Sequence, residues 1–200
     1  MYAFELVLAR GETVRAHKEY ERARSLDPND IVIRYNQGLP YYAERNFDAA
    51  ITNFLNGITL EGRITLPRLW LARAYEAKHQ YREACDQYEQ VDIMRGADRD
   101  VLKSRYDGLR AALRDGGERA MWQAIYDAAA SNEVPSYDWA RSCARLGRND
   151  EAIVLLNKLY TNHTLDIWLR IDECWDSLRA DPRAGPQYQA VLKKAGFKPW

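Results

Sequence analysis

The chain has 200 residues, of which 46% are hydrophobic and 12% aromatic, enough apolar material to bury a core. Its 29 Lys and Arg are matched by 29 Asp and Glu, and this balance excludes the basic surface that a dedicated nucleic-acid binder needs. Three widely spaced cysteines, Cys85, Cys143 and Cys174, exclude a dense disulfide scaffold and suit free buried thiols in a cytoplasmic protein.

From the start, residues 1–10 are apolar for too short a run, interrupted by Glu5, to read as a signal peptide or anchor. No later run approaches the roughly 20 apolar residues that span a bilayer. Apolar residues recur at helical spacing over 1–10, 12–25, 30–44, 47–59, 67–78, 81–93, 99–114, 118–131, 136–146 and 149–161. Short polar breaks separate these segments: Gly11, Arg45-Asn-Phe47, His79-Gln-Tyr81, Asp115-Gly-Gly117 and Gly147-Arg-Asn149. Leu26-Asp-Pro-Asn-Asp30 closes one helix and offers a cap for the next. Pro40, inside the third segment, removes the bond to the Asn36 carbonyl and predicts a kink there. Residues 164–183 predict a loop with a turn or two of helix, and 187–195 a closing helix. No segment has the alternation of a strand.

The segments repeat. Ala16, Ala50, Ala84 and Ala152 lie on one 34-residue lattice, broken only by Glu118. Four residues beyond each point stand Tyr20, Phe54, Tyr88, Trp122 and Leu156. Gly38, Ala72, Tyr106 and Ala140 form a second series, each followed three residues later by Tyr41, Tyr75, Leu109 and Cys143. A small residue lets two helices approach and a bulky one fills the space between them, so each unit reads as a helix hairpin. One hairpin cannot cover its own apolar stripe, and neighbours must stack to complete the core.

These residues resemble the tetratricopeptide repeat family. Gly38…Tyr41…Ala50…Phe54…Gly57 and Leu71-Ala72…Tyr75…Ala84…Tyr88 follow its full motif, and Ala16…Tyr20…Ala23…Pro28 its second helix. Gly147-Arg-Asn-Asp-Glu-Ala152 is similar to its inter-helix turn. The resemblance implies an all-α, right-handed superhelical solenoid. It assigns residues 1–163 to about five hairpins (1–28, 30–62, 65–97, 98–131 and 133–161) and 164–200 to a C-terminal cap. Because Glu118 stands where alanine is expected, the fourth hairpin is expected to pack with a different tilt. In the second half, Tyr106…Leu109-Arg-Ala-Ala-Leu-Arg-Asp-Gly-Gly117…Met121-Trp122, Trp175-Asp-Ser-Leu-Arg-Ala-Asp-Pro-Arg183 and Leu192-Lys-Lys-Ala-Gly-Phe197 form a narrower likeness. It is to the C-terminal repeat regions of bacterial winged-helix transcription regulators and class III adenylate cyclases. There the closing helix follows Asp-Pro-Arg directly, whereas Ala184-Gly-Pro-Gln187 is interposed here and predicts an offset.

The resemblance points the first helix of each hairpin into a groove for a protein or peptide partner. The inward rows are Tyr35, Leu69, Lys103 and Tyr137; then Leu39, Arg73, Asp107 and Arg141; then Tyr42, Glu76 and Arg110, with Ala144 continuing the third. Apolar positions beside fixed positive charge suit a segment with a hydrophobic anchor followed by acidic residues. The opposing reading is that the arginines pair with Glu76 and Asp107 and only solvate the groove. Chaperone-tail-binding relatives clamp a terminal carboxylate with Lys and Asn. Here Asn36 is at a suitable spot, but its companions would be Met1, Glu5, Leu66 and Trp70, so that clamp is not expected.

Residue chemistry predicts no cofactor and no metal. His17, His79 and His163 are isolated, and there is no phosphate-binding glycine loop or nucleophile elbow. Asp172, Glu173 and Asp176 form an acidic cluster that Arg179 and Arg183 are placed to neutralise. Trp70, Trp122, Trp139, Trp168, Trp175 and Trp200 fit core packing better than base stacking. The expected function is partner binding without catalysis, as the sensing region of a bacterial signalling or transcription regulator. A stand-alone adaptor and an enzyme with an unrecognised acidic site are the alternatives.

Overall fold

The computed structural model describes residues 2–60 and 64–198, and every regular element among them is helical. Trp200 and Met1, named above for packing and for the clamp, lie outside the described residues. No helix of the described residues is long and apolar enough to cross a membrane. The chain divides into two compact units, Met1–Arg110 and Ala111–Trp200.

In the first unit, α1 (Tyr2–Glu5) runs into a π-helical turn over Leu6–Arg10. The wider turn buries three consecutive residues, Leu6, Val7 and Leu8, and sets Glu5 against Arg10 five positions on. Helix α2 (Thr13–Leu26) is followed by α3 (Ile31–Asn36) and α4 (Gly38–Ala43). The Asp30 carboxylate caps α3 by accepting from the Val32 and Ile33 amides at 2.7 and 3.1 Å. The break predicted from Pro40 falls at Gln37, where the hydrogen-bond ladder loses a rung and one segment becomes two helices. Helices α5 (Phe47–Leu60), α6 (Thr65–Ala77) and α7 (Tyr81–Met94) complete the unit with the start of α8 (Arg99–Ala130). Neighbours α3/α5, α4/α5, α5/α6 and α6/α7 pack on one another.

The small residues work as spacers. A Cβ on Gly38 would stand 2.4 Å from the Phe54 ring, and one on Gly57 2.3 Å from the Tyr35 Cβ. Glycine at these two points therefore sets how closely α5 approaches α4 and α3. Ala16, Ala50, Ala84 and Ala152 are all buried, whereas Glu118 is only half-buried.

The backbone repeats with the same period as the side chains. Gly11, Arg45, His79 and Gly147, spaced on the 34-residue lattice, all take left-handed φ values of 65, 63, 57 and 76°. At three of these turns the residue after the left-handed one donates back to Tyr41, Tyr75 or Cys143, closing the helix at 2.8–2.9 Å. The lattice point between, Leu113, lies within α8 instead. There the expected Asp115-Gly-Gly117 turn shrinks to Gly117 alone, at φ 69° and ψ −165°.

In the second unit, α9 (Tyr137–Arg145) packs on α10 (Asn149–Thr161). Two 3₁₀ turns (Ile167–Arg170 and Glu173–Trp175) lead to α11 (Asp176–Ala180) and α12 (Ala184–Lys194). Tyr188, Val191 and Leu192 of α12 are buried in one core with Ala152, Leu156 and Trp175, and Phe197 packs against it. The interposed Ala184-Gly-Pro-Gln187 forms the first turn of α12, so the helix begins three residues before the expected 187. Pro186 is tolerated because amides in a first helical turn have no helix partner. Trp122, Trp168 and Trp175 are buried and Trp139 is half-buried.

Asp181 ties two helix starts together. Its carboxylate accepts from the Arg183 and Ala184 amides at 2.8 and 2.9 Å and from the Asn149 amide side chain at 2.9 Å. The Ala184 amide first, then Asn149 and Arg183, stabilise the charged form and bring its pKa down from 3.8 to about 2. A carboxyl that releases its proton more readily when folded contributes stability above about pH 4, and loses it as pH falls toward 2. Asp181→Ala is expected to flatten that part of the acid-unfolding profile, and the carboxyl carbon of the parent protein should titrate near pH 2 by NMR. A midpoint near 4 would show that these bonds do not hold in solution.

Candidate binding pocket

A pocket of about 460 Å³ opens in the first unit between α1, α2, α3 and α6. Helical spacing explains its lining: Glu19, Tyr20 and Ala23 come from one face of α2, and Leu66 and Trp70 from one face of α6. Val32, Ile33, Tyr35 and Asn36 come from α3, and Tyr2, Ala3 and Phe4 from α1. The buried Trp70 ring belongs to the lining, T-shaped to the Tyr35 ring at 5.4 Å and 6.2 Å from that of Phe4. Around the mouth, Tyr2, Val32 and Leu66 remain 41, 49 and 42% exposed.

Two oxygens on this wall have no hydrogen-bond partner among the described residues, Tyr20 Oη and Asn36 Oδ1, and both residues are buried. Leaving such a group unsatisfied costs about 1–3 kcal/mol. Burial also pushes the Tyr20 and Tyr35 hydroxyls up in pKa, so both stay protonated. Glu19 is the one charged residue of the lining and makes no ion pair among the described residues. Of the group discussed for a carboxylate clamp, Asn36, Leu66 and Trp70 do meet here. Glu5 is turned to Arg10 instead, and the lining is mostly apolar, with oxygen acceptors and the Trp70 indole N–H.

The inward rows named from the sequence are distributed differently. Tyr35, Leu39, Tyr42, Arg73 and Glu76 are buried within the first unit, and Leu69 is half-buried. Of these only Tyr35 lines the pocket, and the Glu76 carboxylate accepts from the Tyr88 hydroxyl at 3.1 Å. Lys103 pairs with Asp107 at 3.1 Å. Arg110 pairs with Glu89 and, at 2.6 Å, with Asp86, which against the effect of burial hold its pKa above the usual guanidinium value, and it lies 3.5 Å from Asp107.

In the second unit Tyr137 and Arg141 serve the core. Arg141 is 3% exposed, lies 3.4 Å from the Asp172 carboxylate and sits over the Trp122 ring. The Tyr137 hydroxyl accepts from the Trp175 indole at 2.9 Å and faces Asp172 at 3.5 Å. Glu173 is held by Arg145, and Asp176 by Arg179. Arg141 and Arg145, from α9, thus neutralise two carboxylates for which Arg179 and Arg183 were expected; the Arg183 amide instead donates to Asp181. Among the described residues no three His, Cys, Asp or Glu side chains are grouped to hold a metal ion. Burial pushes the Cys85 and Cys143 thiols up to about 11 and about 12, far from nucleophilic range.

Sequence reasoning did not single out Tyr2, Phe4, Val32 or Leu66 as one lining. The available signal was Asn36 beside apolar companions at the clamp positions. No family model matches the chain, and no match is found among curated proteins.

Proposed function

We propose that the chain is a tetratricopeptide-like helical-repeat module that binds a protein partner, with the α1–α3/α6 pocket as its contact point. The observation that carries this reading is the convergence of exposed Tyr2, Val32 and Leu66 on a pocket with buried, unsatisfied oxygens. Exposed apolar residues scattered singly are ordinary, but three around one cavity mark an interaction site. The 34-residue return of the left-handed turn supports the repeat reading.

The likeness of the second half to repeat regions of winged-helix regulators and adenylate cyclases supports placing the module in the sensing part of such a regulator. The reading is of a binding protein in the cytoplasm. Free buried cysteines support the compartment, and acidic residues occupied by arginines support a role without catalysis. Because Lys103, Arg110 and Arg141 are each paired with carboxylates of the same chain, the acidic half of the sequence-derived partner loses its support.

A photoreactive amino acid placed at Val32 or at Leu66 in the native host is expected to crosslink the same partner. The same residue at Val154, exposed on α10 of the other unit, should not. Tyr2→Ala, at a 41% exposed position of the lining, should weaken both crosslinks while the chain stays folded. Absence of a product from Val32 and Leu66, or an equal product from Val154, would remove the pocket as the contact point.

A further inference from the structure

We infer that the pocket receives a primary ammonium group on an apolar stem, supplied by a lysine side chain of the partner. The inference rests on reading this pocket as the contact site. Three features of the lining converge on that chemistry. Tyr2, Phe4, Tyr20, Tyr35 and Trp70 contribute π-faces, which attract cations and also pack against methylenes. Three oxygen groups of the lining can accept a hydrogen bond, Asn36 Oδ1, Tyr20 Oη and the Glu19 carboxylate, beside the donor N–H of the Trp70 indole. The lining contains no Lys, Arg or His, so the charge it presents is negative.

An ammonium brings three donors for those acceptors and a charge opposite to that of Glu19, and a lysine stem of four methylenes suits the apolar walls. A carboxylate would meet Glu19 with like charge and would bring no donor to the two oxygens. A neutral aliphatic chain would fill the space but leave both oxygens unsatisfied. Guanidinium stacking already occurs nearby: Arg15, which is not part of the lining and pairs with Glu12, lies 5.1 Å from the Tyr2 ring centroid.

The test uses the intact chain and short blocked peptides, acetyl-Leu-Lys-Leu-amide and its norleucine and glutamate counterparts. Binding is followed on the Trp70 indole resonance, assigned by loss of that signal in Trp70→Phe. The lysine peptide is expected to shift the resonance with at least tenfold higher affinity than the norleucine peptide, and the glutamate peptide to leave it unmoved. Glu19→Gln, a change at a partly exposed surface position, should bring the lysine-to-norleucine ratio below about three. Glu21→Gln, which lies outside the lining, should leave the ratio unchanged. Equal or tighter binding of the norleucine peptide, or a ratio insensitive to Glu19→Gln, overturns the inference. Tighter binding of free 2-phenylethylammonium than of the lysine peptide overturns the partner lysine as its source. The two readings fail separately: crosslinks at Leu66 without a lysine preference sink only the occupant, and a lysine preference without crosslinks sinks only the contact site.

Discussion

Asp172→Ala is expected to destabilise the second unit by about 3–5 kcal/mol, the range for removing one partner of a buried ion pair. The residue is 1% exposed, so its removal takes a buried carboxylate from the Arg141 guanidinium and leaves the exposed Asp138, at 3.6 Å, as a weaker counter-charge. It also takes away the acceptor that caps the second 3₁₀ turn through the Cys174 amide at 3.2 Å, and the oxygen facing the Tyr137 hydroxyl. Asp176→Ala provides the contrast. Its side chain is 45% exposed, and such pairs are worth about 1 kcal/mol or less. Chemical unfolding followed by tryptophan fluorescence should separate the two variants clearly. Equal losses would mean that the Arg141–Asp172 pair is hydrated in solution and does not organise the core.

Ala84→Trp should cost more than the about 1–3 kcal/mol usual for overpacking. Ala84 is 2% exposed on α7, which packs along α6, and an indole there has no space unless the two helices separate. Gln90→Trp, at an exposed position of the same helix, carries the same side chain without that demand and should cost little. The midpoint of thermal unfolding in each variant is the measurement. Similar midpoints would show that the lattice alanines are not close-approach points, and would undo the repeat register.

Much of the helix layout was legible in the sequence, because helical periodicity and turn chemistry act within a few residues. The 34-residue spacing of Ala16, Ala50, Ala84 and Ala152 marks four buried contacts, and the polar breaks mark the turns. Pro40 announces a break because a missing amide is a local fact, although the chain yields at Gln37 rather than at the proline. Even the exception at Glu118 was visible, since a carboxylate cannot replace a buried methyl. The inclusion of Leu113 in α8 and a turn reduced to Gly117 were not legible there, because they depend on how the surrounding chain packs.

The sites were less legible. The family resemblance implied that Arg73, Glu76 and Arg141 are groove charges, yet all three are buried. Whether a charge meets water or a counter-ion is decided by residues that folding brings close: Asp172 stands 31 positions from Arg141, and Asp86 stands 24 from Arg110. The pocket is likewise a tertiary product. Tyr2, Glu19, Asn36 and Trp70 come from four helices and share no motif. The sequence by itself determined where the helices lie and which small residues let them touch, because those depend on local period and side-chain size. Tertiary structure decided which charges were consumed and which oxygens were buried without a partner, because desolvation and pairing depend on neighbours distant in the chain.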